Sequence, residues 1–185
     1  MRALLFILAM AVMLPLSACG DLLSIHPLAT AETAVFDAGL TGDWSCADKD
    51  STGVALIRAG SAQKKDYDIV WLPNEGDALR LKGQLVRVGD RLVFDLTALK
   101  RTDWTVPAHF FMLVEKTADG VKFHWLDSDW LRSQVISQNA LAHTMVDDKP
   151  VITAGSAEIH AFLAKFGLDP QAVSDSLSFK RGKGQ

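Results

Sequence analysis

The chain has 185 residues, with 19 Lys+Arg against 22 Asp+Glu and a formal net charge of −3 at pH 7. Such mild acidity excludes an electrostatic partnership with nucleic acid, which needs clustered basic side chains. About half of the residues are apolar (49%), enough for one sizeable core in one domain.

Arg2 supplies a positive n-region, and Ala3 to Leu14 form a charge-free apolar run too short to span a bilayer as a permanent helix. Residues 1–18 therefore read as a cleaved signal peptide. It ends in Leu16-Ser17-Ala18-Cys19, with small residues directly before a cysteine and a leucine three positions ahead of it. This stretch resembles the lipobox of bacterial lipoproteins. The resemblance implies that the Cys19 sulfur is diacylated, that the chain is cut before it and that the new amino terminus is acylated. Two or three acyl chains, at roughly 0.8 kcal/mol per buried methylene, hold a protein stably on a membrane. The implied location is the cell envelope, lipid-anchored and facing the periplasm; Gly20-Asp21 leaves inner and outer membrane open. An ordinary secretory signal with an incidental cysteine is the alternative. Once Cys19 is lipidated, Cys46 is the only thiol left, so no intramolecular disulfide forms and Cys46 is expected as a small buried apolar residue.

Residues 19–37 carry Pro27 and scattered polar residues without clean periodicity, and read as a lipidated tether that becomes ordered near Val35-Phe36. A β-rich domain over residues 38–185 follows. It opens with Gly42-Asp43-Trp44, a Gly-x-Trp similar to the first strand of lipocalin-type barrels, where Gly lets the chain turn in tightly and Trp plugs one end. Val54 to Arg58 and Tyr67 to Leu72 are short runs of branched and aromatic residues, hence strands. After the turn residues Pro73 to Asp77, Ala78 to Val88 alternates polar and apolar side chains. A two-residue turn at Gly89-Asp90 sets Leu85 opposite Phe94 and Gly83 opposite Leu96, which puts Leu81, Leu85, Leu92, Phe94 and Leu96 on one apolar face.

Asp119-Gly120 is the stronger hairpin signal. It pairs Ala118 with Val121, Val114 with Trp125 and Glu115 with His124, so Phe110, Met112, Val114, Phe123 and Trp125 share an inner face. The other face is polar near the turn and apolar at Phe111, Leu113 and Leu126, and requires a cover. Two helices supply it. Ser156 caps one with Ile159, Phe162, Leu163 and Phe166 at helical spacing, ending at Gly167 and Pro170. Ser128 caps a shorter one over Asp129 to Gln138 that buries Trp130, Leu131 and Val135, although Val135-Ile136 also suits a strand. Leu141 to Val146 and Val151-Ile152 read as short strands joined through Asp147 to Pro150, and Leu177 to Lys180 is the last strand.

The residues Leu40-x-Gly42-x-Trp44, Tyr67, Leu92-Val93-Phe94-Asp95-Leu96, Pro107-x-His109, Leu126-Asp127-x-Asp129-Trp130-Leu131, Thr153-Ala154 and Phe162-Leu163 together resemble a group of small, uncharacterised Gram-negative lipoproteins with lipocalin-like character. The resemblance covers about Pro27 to Arg181 and implies an envelope location and a β-rich domain, with no established reaction. Cys46, just after the Gly-x-Trp, departs from the group.

The expected fold is α+β, mainly β: an antiparallel β-barrel or strongly bent sheet, lipocalin-like, with a C-terminal helix and a shorter helix packed outside. None of the five histidines (His26, His109, His124, His143, His160) sits in a metal-ligand spacing, and no Gly-x-Ser-x-Gly elbow offers a nucleophile. No cofactor is implied. Asp127-Ser128-Asp129 fits helix capping better than acid/base chemistry. The candidate ligand-binding residues are Trp44, Trp71, His109 and Trp125, with Trp104 and Trp130 as further tryptophans able to line a cavity. The expected role is a binding module for a small apolar ligand or an envelope protein, held on the membrane through Cys19. The alternatives are a structural subunit of an envelope complex, or a hydrolase using His109 with an acid.

Overall fold

From Gly42 to Leu126 each strand pairs antiparallel with the next, its apolar side chains recurring at every second position. The computed structural model describes residues 23–47, 53–61, 63–74, 76–99, 107–147, 149–166 and 170–182. The signal peptide, Cys19, Trp104 and Gly167 lie outside the described residues. In chain order the strands are β1 (Leu23–Ser24), β2 (Ala34–Val35), β3 (Gly42–Cys46), β4 (Gly53–Ala59), β5 (Asp66–Pro73), β6 (Leu79–Val88), β7 (Arg91–Ala98), β8 (His109–Lys116), β9 (Gly120–Leu126), β10 (His143–Val146), β11 (Lys149–Ile152) and β12 (Val173–Arg181). Helix α1 (Ser128–Arg132) runs on into a π-helical turn over Ser133–Ser137, and α2 covers Ser156–Phe166.

Strands β3 to β9 follow one another in sequence around the sheet, and β12 closes it by pairing with both β3 and β9. The result is a closed eight-stranded antiparallel barrel, which leaves no free edge in its wall. The chain between β9 and β12 forms the helices and the β10–β11 hairpin. That hairpin joins the wall through β1, which pairs parallel with β11 and antiparallel with β8 at Ser24 and His109.

The β6–β7 register is as expected: Val88 faces Arg91, Leu85 faces Phe94 and Gly83 faces Leu96. The β8–β9 register is shifted by two residues. Lys116, not Ala118, faces Val121; Val114 faces Phe123 and Met112 faces Trp125. The cause lies in a third strand. A Cβ on Gly120 would clash with the Phe179 carbonyl oxygen, so this glycine lies in β9 pressed against β12 and closes the turn by accepting the Thr117 N–H at 3.0 Å, the two central turn residues being Ala118 and Asp119. A shift of two preserves side-chain direction, and the expected inner face stands.

Two cores result. The inner one fills the barrel with Leu40, Trp44, Tyr67, Leu85, Phe94, Met112, Phe123 and Phe179 among others. The outer one lies against β6, β7 and β8, where Val86, Val93, Phe111 and Leu113 meet Leu131 and Val135 of the first helix and Ile159, Phe162 and Leu163 of α2. The helical cover over the apolar end of β8 is therefore present. Its caps differ from expectation: Asp127, not Ser128, caps α1 by accepting the Trp130 N–H at 2.6 Å. At α2 the Gly155 carbonyl accepts from Glu158 and Ile159, while the Glu158 carboxylate reaches back to the Gly155 N–H at 3.0 Å. Ser156 is thus the first helical residue. Lys149 and Pro150, expected in a turn, already belong to β11.

Residues 23–37 also differ from a tether that orders only at Val35. Leu28 and Ala29 are buried in the outer core and β1 is part of the sheet. The cause is tertiary: both oxygens of the Asp95 carboxylate are used here, Oδ2 by the N–H groups of Leu28 and Ala29 (2.8 and 3.0 Å) and Oδ1 by His109 Nδ1 (2.7 Å).

Candidate ligand cavity

The two ends of the barrel are built differently. At the end where β3 begins, residues 34–41 cross the opening: β2 pairs with Leu85 and Val86 near the end of β6, the 3₁₀ turn Ala38–Leu40 follows, and Leu40 is buried in the inner core. Trp44 plugs this end from β3, its Nε1 donating to the Leu40 carbonyl at 2.9 Å. The Arg181 guanidinium lies over the Trp44 ring at 4.7 Å and donates to the carbonyls of Gly39 and Thr41 (2.7 and 3.2 Å). Gly42, at φ +145°, leaves room for it; a Cβ there would come 2.9 Å from Arg181 Nη1. The Gly and the Trp of the Gly-x-Trp thus serve one closure. Tyr67 completes it from β5, its hydroxyl accepting the Asp37 N–H at 2.7 Å while Phe36 stacks on its ring. Burial pushes the Tyr67 phenol above its ordinary range. The Lys116 ammonium, 2.9 Å from Asp37, holds that carboxyl below the usual carboxylate range.

Toward the other end the inner side chains stop meeting. An apolar cavity of about 210 Å³ remains, many times the room one water needs and smaller than the roughly 300–1,000 Å³ of clefts that hold drug-sized ligands. Trp71, Leu79, Leu96, Phe110, Trp125 and Leu177 surround its outer part; Ile69, Phe94, Met112 and Phe179 lie among the rest of the lining. Every lining side chain is apolar. The aromatic rings pack against one another, Trp71 edge-on to Phe179 at 5.3 Å and Phe110 stacked on Trp125 at 6.2 Å, so the wall is held by contacts that do not depend on a ligand.

The four candidate binding residues separate. Trp71 and Trp125 line the cavity; Trp44 sits in the closed end, and His109 points out of the barrel wall into the Asp95 cluster. His109 Nδ1 lies 2.7 Å from Asp95 Oδ1 and 3.2 Å from Thr97 Oγ1. The buried Ser24 beside it donates to the His26 carbonyl at 2.7 Å, not to His109. Serine, histidine and aspartate are therefore neighbours without a nucleophile-to-base hydrogen bond, and they bind the N-terminal segment to the wall. Trp130 packs outside on Phe162, and the Asp127 carboxylate is occupied as a helix cap. His124 meets Glu115 at 2.9 Å, diagonally across the corrected register.

Asp95, on the face of β7 opposite Phe94, is the residue that pattern reading missed as a functional contact. Its signal was an acid at the centre of Val93-Phe94-Asp95-Leu96, in a strand otherwise suited to burial. Among the described residues, no group of three His, Cys, Asp or Glu side chains converges as for a metal, and no helix is long and apolar enough to cross a membrane. No family model, curated protein or solved structure matches the chain.

Proposed function

We propose that this chain is a lipid-anchored envelope lipoprotein whose barrel binds a small apolar molecule. The observation that carries the reading is the cavity: closed at one end by Trp44, Arg181 and the 34–41 crossing, open toward the other, and lined without a single polar side chain. A cavity of that kind gains from contact area alone, at about 25 cal/mol per Å² removed from water, and offers nothing to orient a charged or strongly polar ligand. The anchor is the Cys19 of Leu16-Ser17-Ala18-Cys19, and with it comes the kinship to small Gram-negative lipoproteins that the sequence resembles.

The test uses the full chain secreted as Cys19→Ser, so that it is recovered in solution. Native mass spectrometry and organic extraction should find an apolar molecule on it, and 1-aminoanthracene should bind and be displaced by dodecanoate. A dry interior with no co-purifying molecule and no probe binding would defeat the reading. The anchor is tested separately: a palmitate analogue should label the parent and not Cys19→Ser, and persistent labelling of the serine variant would remove the lipobox argument.

A partner-protein reading rests on a different observation. Strand β10 ends the sheet, and Met145 and Val146 on it are exposed; such an edge can accept a strand from another chain. Crosslinking in cells from position 145 should then recover a stoichiometric protein.

A further inference from the structure

The N-terminal segment enters the sheet beside the open end of the cavity, not the closed one. Ser24 pairs with His109 at the start of β8, and both side chains lie on the outer side of the wall. Successive residues of a strand point to opposite faces, so Leu23 lies on the side of Phe110, which lines the cavity, and Ile25 follows directly after β1. Both are exposed. The apolar side of the wall thus continues from Phe110 and the stacked Trp125 to Leu23, with Ile25 next in the chain. Leu79 at the start of β6, itself part of the lining, is exposed too. Isolated exposed leucines need no explanation, but several around one apolar opening mark an interaction surface.

Cys19 lies four residues before Leu23, a reach of at most about 14 Å even when fully extended. A lipid held at Cys19 therefore keeps this end of the barrel within one short segment of the membrane surface. We infer that the open end faces the bilayer and that the cavity takes one acyl chain of a bilayer lipid, tail first, with the headgroup left outside. The inference rests on the ligand-binding reading above and deepens it. Three features agree on the occupant: a lining of apolar and aromatic side chains, a volume that excludes a whole lipid and admits only the terminal part of an acyl chain, and an apolar strip leading from the opening toward the anchored end. A hydrocarbon chain needs no hydrogen-bond partner inside.

The acylated full chain is reconstituted into vesicles of phosphatidylethanolamine and phosphatidylglycerol containing phosphatidylethanolamine with a diazirine near the end of one acyl chain. After illumination the labelled peptides are mapped. Label is expected on the cavity strands, at Leu79–Leu81 and Phe110–Met112, and not at the closed end around Arg58 or Lys122. Two variants grade the result. Leu79→Glu sets a carboxylate in the opening without touching the deep core, and Ala55→Trp fills the cavity. Each should lower cavity labelling by roughly tenfold or more, the equivalent of about two methylenes left in water.

Label confined to Leu23 and Ile25 would overturn acyl-chain entry, and label at the closed end would overturn the orientation. Finding the Cys19 acyl group of the same chain in the cavity would overturn the bilayer source. If the soluble Cys19→Ser chain binds 1-aminoanthracene while the anchored chain takes no label, the membrane-facing inference fails and the binding reading survives. If neither occurs, the binding reading has failed.

Discussion

Replacing Asp95 by alanine tests how the N-terminal segment is held. The carboxylate is almost wholly buried and accepts from the Leu28 and Ala29 N–H groups at 2.8 and 3.0 Å and from His109 at 2.7 Å. Leu28 and Ala29 are themselves buried, so Asp95→Ala strands two donors away from water. Each stranded donor costs about 1–3 kcal/mol, while the partly exposed His109 ring can turn to solvent and adds little. The expected loss is about 3–5 kcal/mol, which at a slope of about 2 kcal/mol per molar lowers the urea midpoint by roughly 2 M. Asp95→Asn keeps one acceptor and should lose about half as much. Hydrogen exchange supplies the local readout: amide protection at Leu28 and Ala29 should collapse at denaturant concentrations where β4 and β5 remain protected. A loss below about 1 kcal/mol with unchanged protection at both amides would mean that the carboxylate does not hold this segment.

The other predictions concern the closed end and the barrel seam. Tyr67→Phe leaves the Asp37 N–H without its acceptor and should cost about 1–2 kcal/mol. Because burial raises the Tyr67 phenol, the unfolded chain ionises first; Tyr67's contribution is complete below the ordinary phenol range and declines as pH rises above about 10. The chain has one tyrosine, so phenolate absorbance reads this group alone, and Tyr67→Phe should lack that part of the alkaline decline. Gly120→Ala drives a methyl into the Phe179 carbonyl and should cost about 3 kcal/mol or more, measured by thermal unfolding; a neutral result would contradict the close approach of β9 and β12. Arg181→Ala uncovers one face of Trp44 and frees two carbonyls. It should cost about 1–2 kcal/mol and change the environment sensed by Trp44 fluorescence, and an unaltered spectrum would contradict the stacking.

What the sequence disclosed follows the reach of its signals. The β6–β7 register was legible because the Gly89-Asp90 turn and the alternation of two long strands agree, and a slip by one would have set Phe94 among Lys82 and Gln84. The β8–β9 register was misread by two because Asp119-Gly120 looks like a local turn, whereas Gly120 answers to Phe179 on a strand far along the chain. Residues 23–37 show the same limit. They lack periodicity, and what orders them is Asp95 and the paired edge of β8, neither of which leaves a mark in the segment itself. Both inner faces were readable as apolar. Whether such faces meet or leave a space between them depends on the curvature of the closed barrel, which no single strand encodes.

The outer core supports the cavity wall on one side only. Strands β6, β7 and β8 are apolar on both faces, with Leu85, Phe94 and Met112 inside and Val86, Val93 and Phe111 outside beneath the helices. Strands β4 and β5 have no such cover: Arg58 and Leu72 on them are exposed, and Val54, Leu56 and Val70 are only half-buried. The cavity therefore has a braced wall and a thin one. A ligand larger than the resting space should be accommodated by movement of β4 and β5, including Trp71, while β7 and β8 hold their positions. Slowed amide exchange on ligand addition should then concentrate in β4 and β5, and protection gained chiefly in β7 and β8 would place the compliant wall on the wrong side.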